Sequence, residues 1–318
     1  MTVTYVLFVI GFVILILGAN WLVNGAVSLG LRANLSPLVI GLTVVAFGTS
    51  LPELVINVFA SLKGSSDLAI GNVLGSNIMN IFLILGISAL IMPLNVERVS
   101  IYRDIPVGLF ATIFFGLIAN GYFMGYSLTI NRFDGIMLLT LFGLYLWFTL
   151  KKGKPMEIDM DLEKQEPASW GKTLLLIFAG FAGLYFGGEW VSEGALQVAK
   201  KLGISETAVG LTIVAAATSL PELVTAIVAA MKNKIEIVMG NVLGSNIINI
   251  FVVLGTSAVI NPLTYNTRLN VELGMVIAAN LALLTVIYLG KGLRLSRFEG
   301  VLLIVIYSVF IWFSLNYN

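Results

Sequence analysis

The sequence predicts an all-α polytopic membrane protein, with ten transmembrane helices in two five-helix repeats of inverted topology. Three observations carry this reading. Of the 318 residues, 58% are hydrophobic and only 11% are charged, too little charge to cover a soluble domain. Apolar runs of about 20 residues, each enough to cross a bilayer core as a helix, recur along the chain. The first half of the sequence also returns in the second half at one constant offset. In lipid every spanning segment must satisfy its own backbone hydrogen bonds, which selects helices.

The ten segments are expected near 4–22, 38–61, 69–92, 105–125, 133–151, 172–191, 207–231, 238–260, 269–290 and 298–316. The N-terminus lacks a charged region and a small-residue cleavage site, so 4–22 reads as a retained first helix. Between the fifth and sixth segments lies "KKGKPMEIDMDLEKQEPASWGK", residues 151–172, with two prolines and no apolar periodicity. It reads as an extramembrane linker. The chain thus divides into a first repeat (1–150), a linker (151–171) and a second repeat (172–318). A plain connector is the simple reading of the linker, and a regulatory segment is the alternative.

Shifted by 169 positions, "GLTVVAFGTSLPELV" falls on "GLTIVAAATSLPELV", and "GNVLGSNIMNIFLILG" on "GNVLGSNIINIFVVLG". "ANWLVNGA" (19–26) meets "GEWVSEGA" (188–195). Such matches at one offset mark an internal duplication. Five helices per copy is an odd number, so the second copy enters the membrane from the opposite side. Lys63, Arg132, Lys200, Lys201 and Arg268 fall on one side of the membrane, leaving thirteen of the eighteen Lys and Arg on the other. That bias places the linker in the cytoplasm and both termini outside, in the cell membrane.

The chain contains no cysteine and no histidine. Disulfides, thiolate chemistry, imidazole bases and soft zinc or copper ligands are excluded. A net charge of +1, without basic clusters interleaved by aromatics, gives no sign of nucleic acid. No phosphate-binding loop, cofactor motif or protein partner is implied. Ser50 and Ser219 carry hydroxyls, but no histidine or lysine is present to activate them, so an intramembrane enzyme is disfavoured.

The informative motif is "GTSLPE" (48–53), which interrupts a long apolar run and returns as "ATSLPE" (217–222). Inverted repeats meet at a pseudo-two-fold axis in the membrane plane, so Glu53 and Glu222 are expected to face one another near the midplane. No lysine or arginine lies in the middle of a spanning segment to pair with them. Protons or mobile cations must then neutralise the pair. A protonated pair that only braces the helices is the structural alternative.

Neutral oxygens surround these acids. Residues three and four apart share a helix face, which sets Thr49 and Ser50 beside Glu53, and Ser76 beside Asn80. Thr218 and Ser219 stand likewise beside Glu222, and Ser245 beside Asn249. Pro52 and Pro221 each free a carbonyl one turn earlier. Gly41, Gly48, Gly71, Gly75, Gly240 and Gly244 allow close helix approach and local unwinding. A broken helix at membrane depth is tolerated where it lines a cavity, and its carbonyls can coordinate cations. This is a hard-cation set: Ca²⁺ takes six to eight such oxygens flexibly, whereas Mg²⁺ demands a tighter octahedron. Two glutamates match the charge of one Ca²⁺, of two Na⁺ or of two protons, and neutral oxygens can hold a further Na⁺. Competition for one pair of charges is a physical basis for exchange.

With "GTSLPE" and "GNVLGSN" both duplicated, the chain resembles the cation/calcium antiporter superfamily over essentially its whole length, and within it the prokaryotic sodium/calcium exchangers. The resemblance implies ten helices, with segments 2, 3, 7 and 8 as a core around the ions and segments 1 and 6 sliding to alternate access. It also implies ion ligands at Glu53, Glu222, Thr49, Thr218, Ser50, Ser219, Ser76, Ser245 and Asn80, with the carbonyls of Ala46 and Ala215. Two departures stand out. Asn249 occupies a position where many relatives carry aspartate, which leaves two acids and implies potassium independence. Ala217 replaces the Gly48 of the first copy.

The expected function is secondary transport of Ca²⁺ against Na⁺ by alternating access in the lipid bilayer, with exchange of H⁺ for Ca²⁺ or another divalent cation as the alternative. A channel is the other transport class, and gradient-driven uphill flux would exclude it. No cofactor is expected beyond the transported ions. Glu189 and Glu193, beside Trp190, read as interfacial, with an ion funnel as the alternative. Asp134 and Glu299, in "RFDG" and "RFEG", suit helix starts.

Overall fold

The computed structural model describes residues 2–122, 128–152, 167–201, 215–289 and 293–317. The chain is helical almost throughout. In order it forms α1 (Thr2–Ala33), the bent pair α2 (Pro37–Thr49) and α3 (Leu51–Leu62), α4 (Ser66–Ile91) and α5 (Ser100–Ala119), followed by α6 (Arg132–Lys152). The second half contributes α7 (Trp170–Lys201), the short α8 (Ala215–Thr218), α9 (Leu220–Met231), α10 (Ile235–Ile260), α11 (Asn270–Leu289) and α12 (Arg297–Tyr317). Two-residue strands β1 (Leu94–Asn95), β2 (Thr129–Ile130), β3 (Leu263–Thr264) and β4 (Arg294–Leu295) lie in the connections. Among the described residues, eight helices are long and apolar enough to cross a membrane, or nine if the bent pair is one span.

Several expected boundaries move. The first helix runs to Ala33 rather than 22, and α7 spans Trp170–Lys201 rather than 172–191. Hydropathy stops these helices early because Asn20, Asn24, Ser28 and Arg32 look like loop residues. Each instead finds a partner: Ser28 bonds the Thr173 hydroxyl at 2.7 Å, and Arg32 donates to the Ala168 carbonyl while its guanidinium lies over Trp170. The fourth helix starts at Ser100 and ends at Ala119 rather than spanning 105–125. Arg103, expected in a loop, lies in its first turn and pairs with Asp104 at 2.6 Å, and Tyr145 donates to the same carboxylate. The second segment is broken at Ser50, with a 46° bend. Most of the linker, and the "GLTIV" stretch 210–214, lie outside the described residues.

Burial sorts the helices into a core and a periphery. The most apolar stretch of α10 is buried throughout and that of α4 is 72% buried, against 11% for α12. The bent elements pack on α4 and α10. Outward faces carry exposed Val9, Val13 and Ile16 on α1 and Phe298, Val305 and Trp312 on α12, apolar surface suited to lipid.

Contacts between the halves come in reciprocal pairs. β1 of the first half pairs with β4 of the second, and β3 of the second with β2 of the first. Gly86 on α4 lies against Gly300 on α12, and Gly255 on α10 against Gly135 on α6. Helix starts match too. Asp134 accepts the Asn131 amide at 2.8 Å, and Glu299 accepts the Ser296 amide at 2.6 Å, each a capping arrangement at an orphan N–H.

The helices α1 and α7 run antiparallel and form the most extensive helix pair. Gly11 meets Gly187, Gly18 meets Gly183, and Gly25 meets Ile177. Lipid tails are as apolar as leucine, so close van der Waals packing between small residues drives such association. A Cβ on Gly18 would lie 2.7 Å from the Leu184 nitrogen, whereas one on Gly143 would meet nothing within 4 Å. Gly18→Leu is therefore expected to destabilise the protein by about 1–3 kcal/mol, the usual cost of overpacking, read as a lower thermal midpoint in detergent. Gly143→Leu should leave that midpoint unchanged.

Candidate functional site

The site forms where the two broken elements meet α4 and α10. Ser50 has φ −82° and ψ 6°, and Ser219 has φ −86° and ψ 4°, so each interrupts its helix. The Leu-Pro that follows opens the next helix, because proline tolerates a first turn but cannot bond back to the carbonyl four residues earlier. This local chemistry places Glu53 and Glu222 in the first turns of α3 and α9, where unsatisfied amides and the helix dipole favour negative charge.

Both carboxylates are fully buried, and they interact electrostatically. Serines from both halves reach each of them. Ser50 donates to Glu222 Oε1 at 3.0 Å, and Ser219 donates to Glu53 Oε1 at 3.3 Å. Ser76 donates to Glu53 and Ser245 to Glu222, each at 3.4 Å. Among the described residues neither acid has a lysine or arginine partner, and Oε2 of each has no hydrogen bond. Like charges placed close together in such an interior repel. Hydroxyl donors soften such a pair without cancelling its charge.

Threonines and asparagines support the acids, again across the halves. Thr49 donates to Asn241 Oδ1 at 3.0 Å, and Thr218 to Asn72 Oδ1 at 3.4 Å. Asn80 donates to Asn246 Oδ1 at 2.9 Å, and Asn249 to Asn77 Oδ1 at 3.1 Å. With their amide N–H groups so engaged, the Oδ1 atoms of Asn80 and Asn249 are buried and unpartnered. Each of these two asparagines also begins a π-helical stretch, Asn80–Ile84 and Asn249–Leu254, a local widening frequent at functional sites. The Ala46 carbonyl accepts from the Ser50 amide at 3.0 Å, and the Thr49 hydroxyl oxygen lies 3.3 Å from it. Ala215 opens α8 at the edge of the described residues.

The structure thus gathers Glu53, Glu222, Ser50, Ser219, Ser76 and Ser245 into one buried constellation, with Thr49, Thr218, Asn80 and Asn249 in the hydrogen-bond networks around it. Asn72, Asn241, Asn77 and Asn246 were not singled out by sequence reasoning. Their signal was available: all four sit inside the duplicated "GNVLGSN" blocks and are polar in otherwise apolar spans. The glycines divide. A Cβ on Gly41 would come within 3.0 Å of Gly240, and one on Gly244 within 2.8 Å of Leu42, so these permit close approach. Gly71 has only a leucine side chain at 3.9 Å and needs no such explanation.

Gly48 has a specific reason. The ring of Phe181, from α7, occupies the space where a Cβ would stand, 1.8 Å from it. The position equivalent to Phe181 is Phe12, an exposed residue, so Ala217 has no matching ring to accommodate. The unequal pair Gly48/Ala217 follows from which phenylalanine packs inward.

Chemically, the arrangement offers two carboxylates and a shell of neutral oxygens. No group of three or more Asp, Glu, His or Cys side chains able to hold a metal occurs among the described residues. A serine hydroxyl that donates to a carboxylate retains lone pairs and can rotate them toward a cation. These features fit a hard, oxygen-seeking ion.

Known proteins resemble the chain over the same extent. A sequence model of the family described as "Sodium/calcium exchanger protein" matches residues 3–151 and 172–316. The sodium/calcium exchanger MaX1 of Methanosarcina acetivorans is 29% identical, covering 98% of each chain. The Ca²⁺/H⁺ antiporter ChaA of Bacillus subtilis is 27% identical, covering 76% of this chain and 72% of its own. A structure of the sodium–calcium exchanger NCX_Mj, soaked with Na⁺ and Sr²⁺, is similar with a TM-score of 0.83 and 34% identity over 97% of each chain. Duplicated motifs, buried acids and these matches lead to one assignment: the chain belongs to the sodium/calcium exchanger family of multi-pass membrane proteins.

Proposed function

We propose that the protein is a secondary antiporter exchanging Ca²⁺ for Na⁺ at a site built on Glu53 and Glu222. The observation that carries this reading is the buried pair itself, two carboxylates with hydroxyls from both halves and no basic partner among the described residues. An ionised pair in a low-dielectric interior must be neutralised. One Ca²⁺ does so, and so do monovalent ions, with the carboxylate and asparagine oxygens left unpartnered here available as ligands. Since either cargo relieves the same charge, binding one excludes the other, and a carrier unable to stay charged has little tendency to return unloaded. Ser50, Ser219, Ser76, Ser245, Thr49, Thr218, Asn80, Asn249 and the carbonyls of Ala46 and Ala215 are assigned as the supporting oxygens. No resident cofactor enters this mechanism, and the protein is not an enzyme.

The same reading takes the architecture as ten spans in two inverted repeats, 1–150 and 172–318, joined by the 151–171 linker. The broken element that ends in α8 and α9 is the seventh span. The reciprocal contacts between the halves support it, since an inverted two-fold repeats every cross-half contact with the roles exchanged. In the cell membrane the linker faces the cytoplasm and both termini face outside, as the Lys and Arg bias indicates. Proton coupling is a second reading, favoured by the resemblance to a Ca²⁺/H⁺ antiporter and by the capacity of two carboxylates to carry two protons.

Ca²⁺ uptake into sodium-loaded proteoliposomes separates the two. Sodium coupling predicts uphill uptake driven by the Na⁺ gradient at constant pH, and uptake driven only by a pH gradient would replace it with the proton reading. Glu53→Gln and Glu222→Gln are each expected to reduce exchange by more than about 100-fold, beyond the usual loss from disturbing an outer-shell metal partner. Near-normal flux in either variant would overturn the site assignment. Asn249→Asp replaces an amide that donates to Asn77 Oδ1 with a third acid, whose charge needs its own proton or monovalent cation. The wild-type protein should be insensitive to K⁺, and the variant should acquire sensitivity to pH and K⁺ in the same flux assay.

A further inference from the structure

A cavity of about 430 Å³ lies between α7 and the broken elements, lined by Pro52, Thr218, Pro221, Tyr185, Glu189 and Glu193 among others. Its inner boundary is Thr218, only 3% exposed, and the next residue, Ser219, donates to Glu53 Oε1 at 3.3 Å. Glu53 itself is fully buried, and its Oε2 has no hydrogen-bond partner among the described residues. Glu189 and Glu193 are one helical turn apart on α7, on a shared face, and both are exposed. The cavity therefore joins an acidic outer lip to a threonine adjacent in sequence to the serine that donates to the buried acid.

The corresponding positions of the first half are different. One repeat earlier stand Asn20 and Asn24. Asn20 donates to its own helix at Ile16, and Asn24 Oδ1 accepts from Lys232 Nζ at 2.8 Å. There the neutral pair is joined by a positive charge, and the notch at Gly48 is filled by Phe181. The two lips also lie toward opposite ends of the bundle. The end of α1 beyond Asn24 docks at the linker, through Arg32 on Ala168, and α7 leaves the linker at Trp170, far from Glu189.

We propose that this cavity is a cation antechamber on the face remote from the linker, in which Glu189 and Glu193 gather hydrated Ca²⁺ before it passes Thr218 to Glu53. The proposal rests on the exchanger reading and gives that site a sidedness. Clefts lined by one sign of charge raise local counter-ion concentration and on-rates by about 10- to 1000-fold, an effect lost as salt rises. Size agrees: a cation with six waters needs roughly 180 Å³ at about 30 Å³ per water. The cavity thus admits the ion hydrated, and the ion exchanges water for protein oxygens only at the buried site. Divalent ions gain twice the attraction of monovalent ones, so the lip favours Ca²⁺ over Na⁺.

The test is initial-rate Ca²⁺ transport by the full-length protein in oriented vesicles, at low and high choline chloride. Glu189→Gln with Glu193→Gln should raise the apparent KM for Ca²⁺ from the remote face by roughly three- to tenfold at low salt. The maximal rate and the linker-face KM should stay at wild-type values, and the difference should vanish at high salt. Glu189→Asp with Glu193→Asp should restore the wild-type KM. An unchanged KM, an equal rise on both faces, or a salt-independent loss of maximal rate would overturn the proposal while leaving the exchanger reading intact. Wild-type protein that moves no Ca²⁺ under any gradient would sink both.

Discussion

Two fully buried carboxylates, without a basic partner among the described residues, impose the constraint on which the rest of the structure depends. An uncompensated charge at membrane depth is costly, and a second like charge beside it adds repulsion. The fold meets this with features that each reduce the cost without removing the charge. The helix breaks at Ser50 and Ser219 set both acids at helix N-termini. Serines from the opposite half donate to them, and the backbone stays hydrogen-bonded on either side of the first break, through Ser50 to Ala46 and Leu54 to Ser50. A fixed lysine would neutralise one acid permanently and leave nothing for a mobile ion to do.

Much of this was legible in the sequence. A constant offset of 169, an acid after Ser-Leu-Pro in each copy and the lack of membrane lysines follow from patterns that need no third dimension. The helix ends were less legible, because hydropathy treats a polar residue as solvated wherever it occurs. Asn20, Asn24 and Arg32 are instead hydrogen-bonded to other protein groups, so α1 continues well past its apolar run. The asparagine network was hidden for a related reason. Asn72 serves Thr218 and Asn241 serves Thr49 across the halves, and no spacing along one helix reveals a partner that is supplied by the other copy.

The Gly48/Ala217 difference shows a further limit of reading copies against each other. Sequence alone presents it as a missing methyl. The structure shows that Phe181 occupies the methyl's place on one side, while Phe12, its counterpart, is exposed. A duplicated chain thus becomes unequal through the packing of a third element. The glycine seam binds α1 to α7 so closely that an inward Phe181 and an outward Phe12 belong to one unit, and a shift of that unit changes both sides together.

That inequality matters because a two-fold site by itself has no direction. With identical halves, the same oxygens would meet either side of the membrane on equal terms. Direction must come from residues outside the symmetric set, and the differences concentrate there: Glu189 and Glu193 against Asn20 and Asn24, Lys232 near the latter, and Phe181 over Gly48. The buried acids and their serines remain matched between the halves, atom for atom in their hydrogen bonds. On the proposed exchanger reading, ion selection needs a fixed set of ligands, whereas access to that set acts through long-range charge and side-chain bulk. Those properties change at single positions on α1 and α7 without disturbing the carboxylates.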